Sequence, residues 1–283
     1  MLTLPQAFVD DVKGLVGPNG LITGAADSTP YLREWRDKYE GETPLIVRPG
    51  TSEEVSHVLR LCTEYRIPIT PQGGNTGLVG GQIPFGTSIL LSLTRLNRIR
   101  ALDAANDTIT VEAGVILAEI QAAAEQADRF FPLSLAAEGS CRIGGNLSTN
   151  AGGVNVLRYG NTRDQVLGLE VVLADGRVWD GLRGLRKDNT GYDLKHLFIG
   201  AEGTLGVITA ATLKLRPRPR QSVTAFIGLV NAAQAVALLG RARSITGDLV
   251  SSFELIPAIG LDFVLRHGPN TRAPLEGKHP WMV

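Results

Sequence analysis

The sequence predicts an α+β protein with a two-subdomain anion-binding domain, followed by the beginning of a second, smaller α+β unit. Three observations carry this reading. A strand–helix–strand–loop–strand order runs from residue 44 to residue 93. Two uncharged or nearly uncharged glycine-rich loops, about 70 residues apart, each follow a strand. Beyond Pro219 the texture changes to a strand, an alanine-rich helix and another strand. The expected division is a helical lead-in over 1–43, a binding domain over 44–218 with subdomains of about 44–105 and 106–218, and an incomplete unit over 219–283.

In the lead-in, Phe8, Val12 and Leu15 share helical spacing, and Pro18-Asn19-Gly20 breaks the helix. Tyr31, Trp35 and Tyr39 fall four apart and read as a packing stripe. Pro44–Pro49 reads as a strand. Thr51 then stands as a helix N-cap, with Glu54 placed to reach back. Val55, Val58, Leu59 and Cys62 form one buried helical face, which makes Cys62 a core residue and leaves His57 in solvent. The next strand, Ile67–Thr70, runs straight into the first loop, Pro71-Gln72-Gly73-Gly74-Asn75-Thr76-Gly77-Leu78-Val79-Gly80-Gly81. Five glycines fall in nine residues there, and no charged side chain occurs from Ile67 to Thr94. Glycine lets bare main-chain N–H groups approach an anion closely.

Ser88–Leu93 and Thr108–Glu112 read as strands, Ile116–Ala127 as a helix with Leu117, Ile120, Ala123 and Ala124 inward. The second loop runs from Gly139 to Gly153. Within it Gly145–Ala151 is expected to form a short helix whose first turn aims free N–H groups at a phosphate. Val166–Leu173 and Arg177–Asp180 read as a hairpin, Leu194–Ile199 as a short helix, and Thr204–Leu215 as a strand stopped by Pro217 and Pro219. In the last unit Val223–Leu229 and Val250–Leu255 read as strands around a helix over Asn231–Ala242. The chain stops in an apolar run that looks like an unfinished strand. One glycine loop alone is a weak signal. The pair reads as two halves of one diphosphate site.

Composition narrows the choices. Of 283 residues, 28 are Lys or Arg and 28 are Asp or Glu, so the net charge is zero, which argues against nucleic acid as a partner. Only Cys62 and Cys141 occur, too few for a disulfide framework, and the expected setting is a reducing, cytoplasmic one. No run of 18 apolar residues exists, so no membrane span is expected. The glycine signature of dinucleotide-binding helices, the phosphate loop ending in Lys and Ser or Thr, and the zinc motif H-E-x-x-H are all absent. The four histidines lack metal-ligand spacing, so no metal is expected. An NAD- or ATP-binding protein is therefore the weakest of the readings. Diphosphate held by main-chain amides suits a large cofactor whose rings add binding surface.

The first loop, together with Glu138-Gly139-Ser140-Cys141-Arg142-Ile143-Gly144-Gly145-Asn146 and Asn150-Ala151-Gly152-Gly153, resembles the flavin loops of the FAD-linked oxidases related to vanillyl-alcohol oxidase. Tyr159–Asp164, Leu185–Leu194 and Gly200–Gly206 extend the resemblance to about residues 5–283. The branch is that of D-2-hydroxyglutarate dehydrogenase, flavin-type D-lactate dehydrogenase and the glycolate oxidase flavin subunit. The resemblance implies the vanillyl-alcohol-oxidase-type fold, with the last unit as an incomplete substrate cap. It implies FAD, contacted by Pro71, Gln72, Gly73, Gly74, Asn75, Thr76, Gly77 and Leu78 of the first loop. Pro132, Gly139, Ser140, Gly144, Gly145, Asn146, Thr149, Asn150 and Gly152 would serve from the second, and Glu202, Gly206 and Ile208 from the later strand.

In tethered relatives a His follows the paired glycines of the first loop. Asn75 stands there, so FAD is expected to be non-covalent. Cys141, near a second tethering position, is expected to pack under the ring. The implied chemistry is hydride transfer from C2 of a D-2-hydroxy acid to flavin N5, giving a 2-oxo acid, with electrons then leaving to a carrier. Arg186 and Lys187 read as structural or solvated more readily than as a carboxylate clamp. The family's catalytic histidines lie in a C-terminal motif that His267 and His279 do not match, so no catalytic residue is assigned. The alternative is an FAD-binding fragment or split-enzyme half without its own turnover, completed by a separate chain or by a homo-oligomer.

Overall fold

A computed structural model describes residues 2–283, which divide into two units. The larger comprises residues up to Gly152 and Asn161–Arg218. Its first helix, α1 (Gln6–Val16), buries Phe8, Val12 and Val16. Leu15 is only half buried, because one turn on from Val12 it is Val16 that completes the face. After β1 (Leu21–Ile22), α2 (Ala25–Leu32) and β2 (Ile46–Val47) comes α3 (Ser52–Tyr65). Thr51 caps α3 by accepting from the Glu54 N–H at 3.1 Å, while the Glu54 carboxylate accepts from the Gly50 N–H at 2.7 Å. The reach back thus lands one residue earlier than a standard capping box. Val55, Val58, Leu59 and Cys62 face α1 in one core, as the spacing predicts.

The stripe reading of Tyr31, Trp35 and Tyr39 is corrected. Helix α2 ends at Leu32, so helical spacing does not continue, and Trp35 is 71% exposed. The C-terminal end of α2 instead offers its main-chain carbonyls, those of Pro30, Tyr31 and Arg33, to Asn75 and Gln72 of the first glycine loop.

Strands β3 (Ile69–Gln72) and β4 (Ile89–Ser92) complete a sheet of order β1-β2-β4-β3, in which β2 and β3 both pair parallel to β4. A second sheet, of order β5-β6-β10-β8-β9, is antiparallel throughout. Its strands are β5 (Ile99–Asp103), β6 (Thr108–Glu112), β8 (Val166–Val172), β9 (Val178–Gly181) and β10 (Val207–Lys214). Helix α4 (Leu117–Gln126), a short ribbon of β7 (Arg129–Phe130) with β11 (Arg216–Pro217), and α5 (Ile143–Ser148) lie around it. Strand β5, exposed along its length and carrying Arg100 and Asp103, has no apolar alternation that would announce it. Strand β10 begins three residues later than Thr204, because 200–206 is used as turns against α5.

A buried polar network joins α3 to the second sheet. Glu112, fully buried, pairs with Arg98 at 2.8 Å and Arg100 at 3.2 Å. Arg100 also grips Glu170 at 3.0 Å, and Glu170 accepts from the hydroxyls of Ser52 and Thr209. Each buried carboxylate is thereby matched by charge and hydrogen bonds.

The smaller unit comprises Gly153–Gly160 and Pro219–Val283. Helix α6 (Ala232–Thr246), capped by the Asn231 side chain on the Gln234 N–H, and α7 (Ala258–His267) accompany a three-stranded sheet. The sheet has order β12-β14-β13, from β12 (Gly228–Leu229), β13 (Ile256–Pro257) and β14 (Trp281–Met282). Two sequence expectations fail here. Only the last three residues of Val223–Leu229 pair, Ile227 by exchanging two hydrogen bonds with Val283, and Val250–Leu255 is irregular, with pairing starting at Ile256. Apolar β-branched runs without a partner strand do not form a ladder, whatever their propensity.

Candidate functional site

The two glycine loops meet face to face in the larger unit. A Cβ placed on Gly74 would stand 2.5 Å from the Ser140 carbonyl oxygen and 3.0 Å from the Cys141 Cα. One on Gly73 would stand 3.4 Å from the Gly145 nitrogen. Gly74 is therefore a packing requirement: any side chain there would push the loops apart. Between them lies a cavity of about 280 Å³. Its apolar walls include Leu93, Leu135, Val207 and Ile208.

The donor pattern of the loops is unequal. From Gly73 to Val79 no main-chain N–H has a protein acceptor among the described residues. In the second loop the corresponding groups are taken. Ile143 and Gly144 donate to the Val115 and Ala113 carbonyls at 3.0 and 2.8 Å, and Gly145 and Asn146 donate to the Arg142 carbonyl at 2.9 and 3.1 Å. The expectation that the first turn of the short helix presents free N–H groups is thus corrected. That turn is tied to the end of β6, and the loop that offers donors is the first. Pre-formed, unpaired N–H groups lining an apolar cavity are what a diphosphate group with attached rings requires.

Side chains fix the first loop. Asn75 adopts φ 54°, a conformation Asn tolerates better than most residues. Its amide donates to the carbonyls of Pro30 and Arg33 at 2.9 and 2.8 Å, and its oxygen accepts from Gln82 at 3.2 Å. Buried Gln72 donates to the Tyr31 and Gln82 carbonyls. On the other wall Glu202, at φ 52°, is held by its N–H on the Ser148 carbonyl at 2.9 Å.

Of the residues singled out from the sequence, Pro71, Gln72, Gly73, Gly74, Asn75, Thr76 and Gly77 line the cavity. So do Gly144, Gly145, Asn146, Thr149, Glu202 and Ile208. Seven others do not. Leu78 points to solvent, Pro132 is buried, and Gly139 and Ser140 are exposed. Asn150 accepts from the Arg163 N–H at 3.0 Å, Gly152 is no lining residue, and Gly206 lines a neighbouring cavity. Arg186 contacts Asp107 at 3.5 Å, away from the cavity. Cys141, expected to pack under the ring, also lines the cavity, and lining residues that the sequence did not single out include Gln82 and Arg142. For Arg142 a signal existed: it is the one charged residue between Gly139 and Asn150.

Cys141 is buried, with its thiol 3.5 Å from the Asn146 side-chain oxygen. Burial pushes the thiol pKa up, against the smaller opposing pull of the Asn146 contact. Among the described residues no group of three or more His, Cys, Asp or Glu side chains is placed to hold a metal ion.

Comparison with known proteins gives this geometry its setting. Residues 43–181 match the family model of the FAD binding domain. The match takes in 139 of the 283 residues. The FAD binding domain therefore contains both loops, and FAD is its non-covalent cofactor. A mitochondrial D-2-hydroxyglutarate dehydrogenase of Bos taurus is 43% identical over 268 residues, covering 93% of this chain and 49% of that protein. Its Danio rerio counterpart is 45% identical over 245 residues, covering 85% and 46%. A putative mitochondrial D-lactate dehydrogenase of Schizosaccharomyces pombe is 38% identical over 287 residues, covering 99% and 54%. The chain spans about half the length of the curated relatives it matches.

Among solved structures, alkyldihydroxyacetonephosphate synthase superposes with a TM-score of 0.73 at 24% identity, over 86% of this chain and 46% of the other. p-Cresol methylhydroxylase gives 0.68 at 22% identity, over 86% and 50%. At these identities the likeness is one of fold, and the α+β architecture is of the vanillyl-alcohol-oxidase type. The cytoplasmic setting expected above is overturned, since relatives sharing over 40% identity are mitochondrial proteins. Two unpaired thiols report a reducing environment, and that is not an address.

Proposed function

We propose that this chain is the FAD-binding portion of a dehydrogenase that converts a D-2-hydroxy acid, of the D-2-hydroxyglutarate or D-lactate type, to the 2-oxo acid. The observation that carries the reading is the 43% identity to a D-2-hydroxyglutarate dehydrogenase across 93% of the chain. The paired loops around one cavity support it. FAD, when bound, supplies the two-electron acceptor for the C2–H of the substrate. The chain's own residues bind and orient. The N–H row from Gly73 to Gly77 would take the diphosphate, Leu135, Val207 and Ile208 would offer ring surface, and Asn146, Thr149 and Glu202 would position polar edges. The buried neutral thiol of Cys141 would pack beside the cofactor. No side chain is assigned as the proton acceptor for the substrate hydroxyl.

Residues 219–283 would open the substrate cap, and an electron carrier would reoxidise the cofactor. Loading the chain with FAD and adding D-2-hydroxyglutarate or D-lactate without oxygen tests the reading. Loss of the oxidised-flavin absorbance supports it, and unchanged absorbance with bound FAD counts against turnover by this chain. A second reading, an FAD-binding half without its own turnover, is favoured by the roughly half-length coverage of the relatives. Bleaching that appears only after adding the remaining half of a relative would select it.

A further inference from the structure

The cavity between the loops has two charged lining residues, Arg142 and Glu202. Among the described residues Arg142 therefore supplies its only positive charge. The Cβ of Arg142 lies 3.7 Å from where a Cβ on Gly73 would stand, so the side chain departs beside the first of the unpaired N–H groups. One guanidinium nitrogen donates to the Gly114 carbonyl, which anchors the group at the end of β6. A guanidinium has five N–H donors, and this is its one protein hydrogen bond among the described residues. The unpaired nitrogens are not sealed from solvent space, since none is among the buried atoms without a partner. Glu119, the carboxylate whose charge acts on Arg142, makes no ion pair with it among the described residues and is no lining residue of the cavity. A cation held on one side and unpaired on the other, next to a row of unpaired N–H groups, is an arrangement for an anion.

We infer that Arg142 is the counter-charge of the cofactor site: it completes, with the Gly73–Gly77 amides, the place that takes the cofactor's diphosphate. This rests on the FAD reading above. The amides give shape and the guanidinium gives charge, so affinity for FAD should carry a salt dependence that originates at one residue.

FAD dissociation constants, measured by flavin fluorescence at low and at high salt, test this on the wild-type chain, Arg142→Gln and Arg142→Lys. Gln is expected to weaken FAD by about tenfold to a hundredfold at low salt and to flatten the salt dependence. Lys is expected to keep the salt dependence. ADP competition should weaken in parallel, while adenosine competition stays unchanged. Arg142→His gives a variant with a switchable charge, whose affinity for FAD should rise as pH falls through about 6.5 more than the wild type's does. The inference is overturned if Gln retains wild-type affinity, if it loses ADP and adenosine binding equally with an unchanged salt dependence, or if the His variant follows wild-type pH behaviour. Wild-type chain that is folded and fails to bind FAD would instead overturn the cofactor reading itself.

Discussion

Asn75 shows how one side chain can set the state of a site. Its amide and carbonyl are spent on Pro30, Arg33 and Gln82, so it clamps the first loop to the C-terminal end of α2. Asn75→Gly keeps the left-handed backbone conformation and removes only the clamp. It should cost about 1–2 kcal/mol by urea denaturation, the net worth of the hydrogen bonds lost to solvent-exposed carbonyls. Gly74→Ala should cost a similar amount, about 1–3 kcal/mol of overpacking, because the Ser140 carbonyl cannot yield as a side-chain tip could. It should also weaken FAD more than Asn75→Gly does, since it separates the two loops directly. The thiols give a third expectation. Burial pushes the Cys62 thiol up to about 12 and raises that of Cys141. Neither of the two should react with a disulfide reagent at about pH 8 in the folded chain, and both should react after denaturation. Rapid native labelling of either would contradict the packing described.

Within the elements, the network of Arg98, Arg100, Glu112, Glu170 and Ser52 holds the N-terminus of α3 to the second sheet. Arg100→Met leaves two carboxylates short of a partner and should cost about 3–5 kcal/mol. The same pairings set a pH dependence. Burial pushes the Glu112 carboxyl up, but hydrogen bonds and charge from Arg98 and Arg100 outweigh it and leave its pKa below the ordinary 4.5. Glu170 is likewise lowered, against burial, by Arg100, Ser52 and Thr209. With folded values below unfolded ones, the unfolded chain takes up protons first. This stabilisation is present above 4.5 and is lost as pH falls through the lowered values. Arg100→Met should therefore flatten the acid limb of the stability curve, measured as urea midpoints between about pH 7 and about pH 3.

Elements were legible in the sequence wherever local periodicity and burial agreed. The α3 face and β6 fall where their patterns place them. What could not be read was long-range. The Asn75 partners lie 42 and 45 residues away. The occupied N–H groups of α5 depend on carbonyls of Ala113 and Val115, and β5 depends on pairing with β6. The glycine pairs, by contrast, announced the site directly, because close backbone approach leaves few other residue choices.

At the scale of the whole molecule, the larger unit carries both loops, the cavity and the buried network, and the smaller unit has a thin core. Of α6 and α7 only Ala235 is buried, while Val236, Ile245, Ile259 and Phe263 are exposed. Apolar surface of this kind favours association, so light scattering should show a mass above one chain that rises with concentration. A concentration-independent monomer would contradict that expectation. The central claim is that the paired loops hold FAD without a covalent bond, and one measurement tests it. The chain is loaded with FAD, freed of excess by gel filtration, and precipitated with acid, and flavin absorbance is read in the supernatant. One equivalent of FAD per chain in the supernatant is the expected result. Flavin that fails to co-elute with folded protein, or that stays in the pellet, would contradict it.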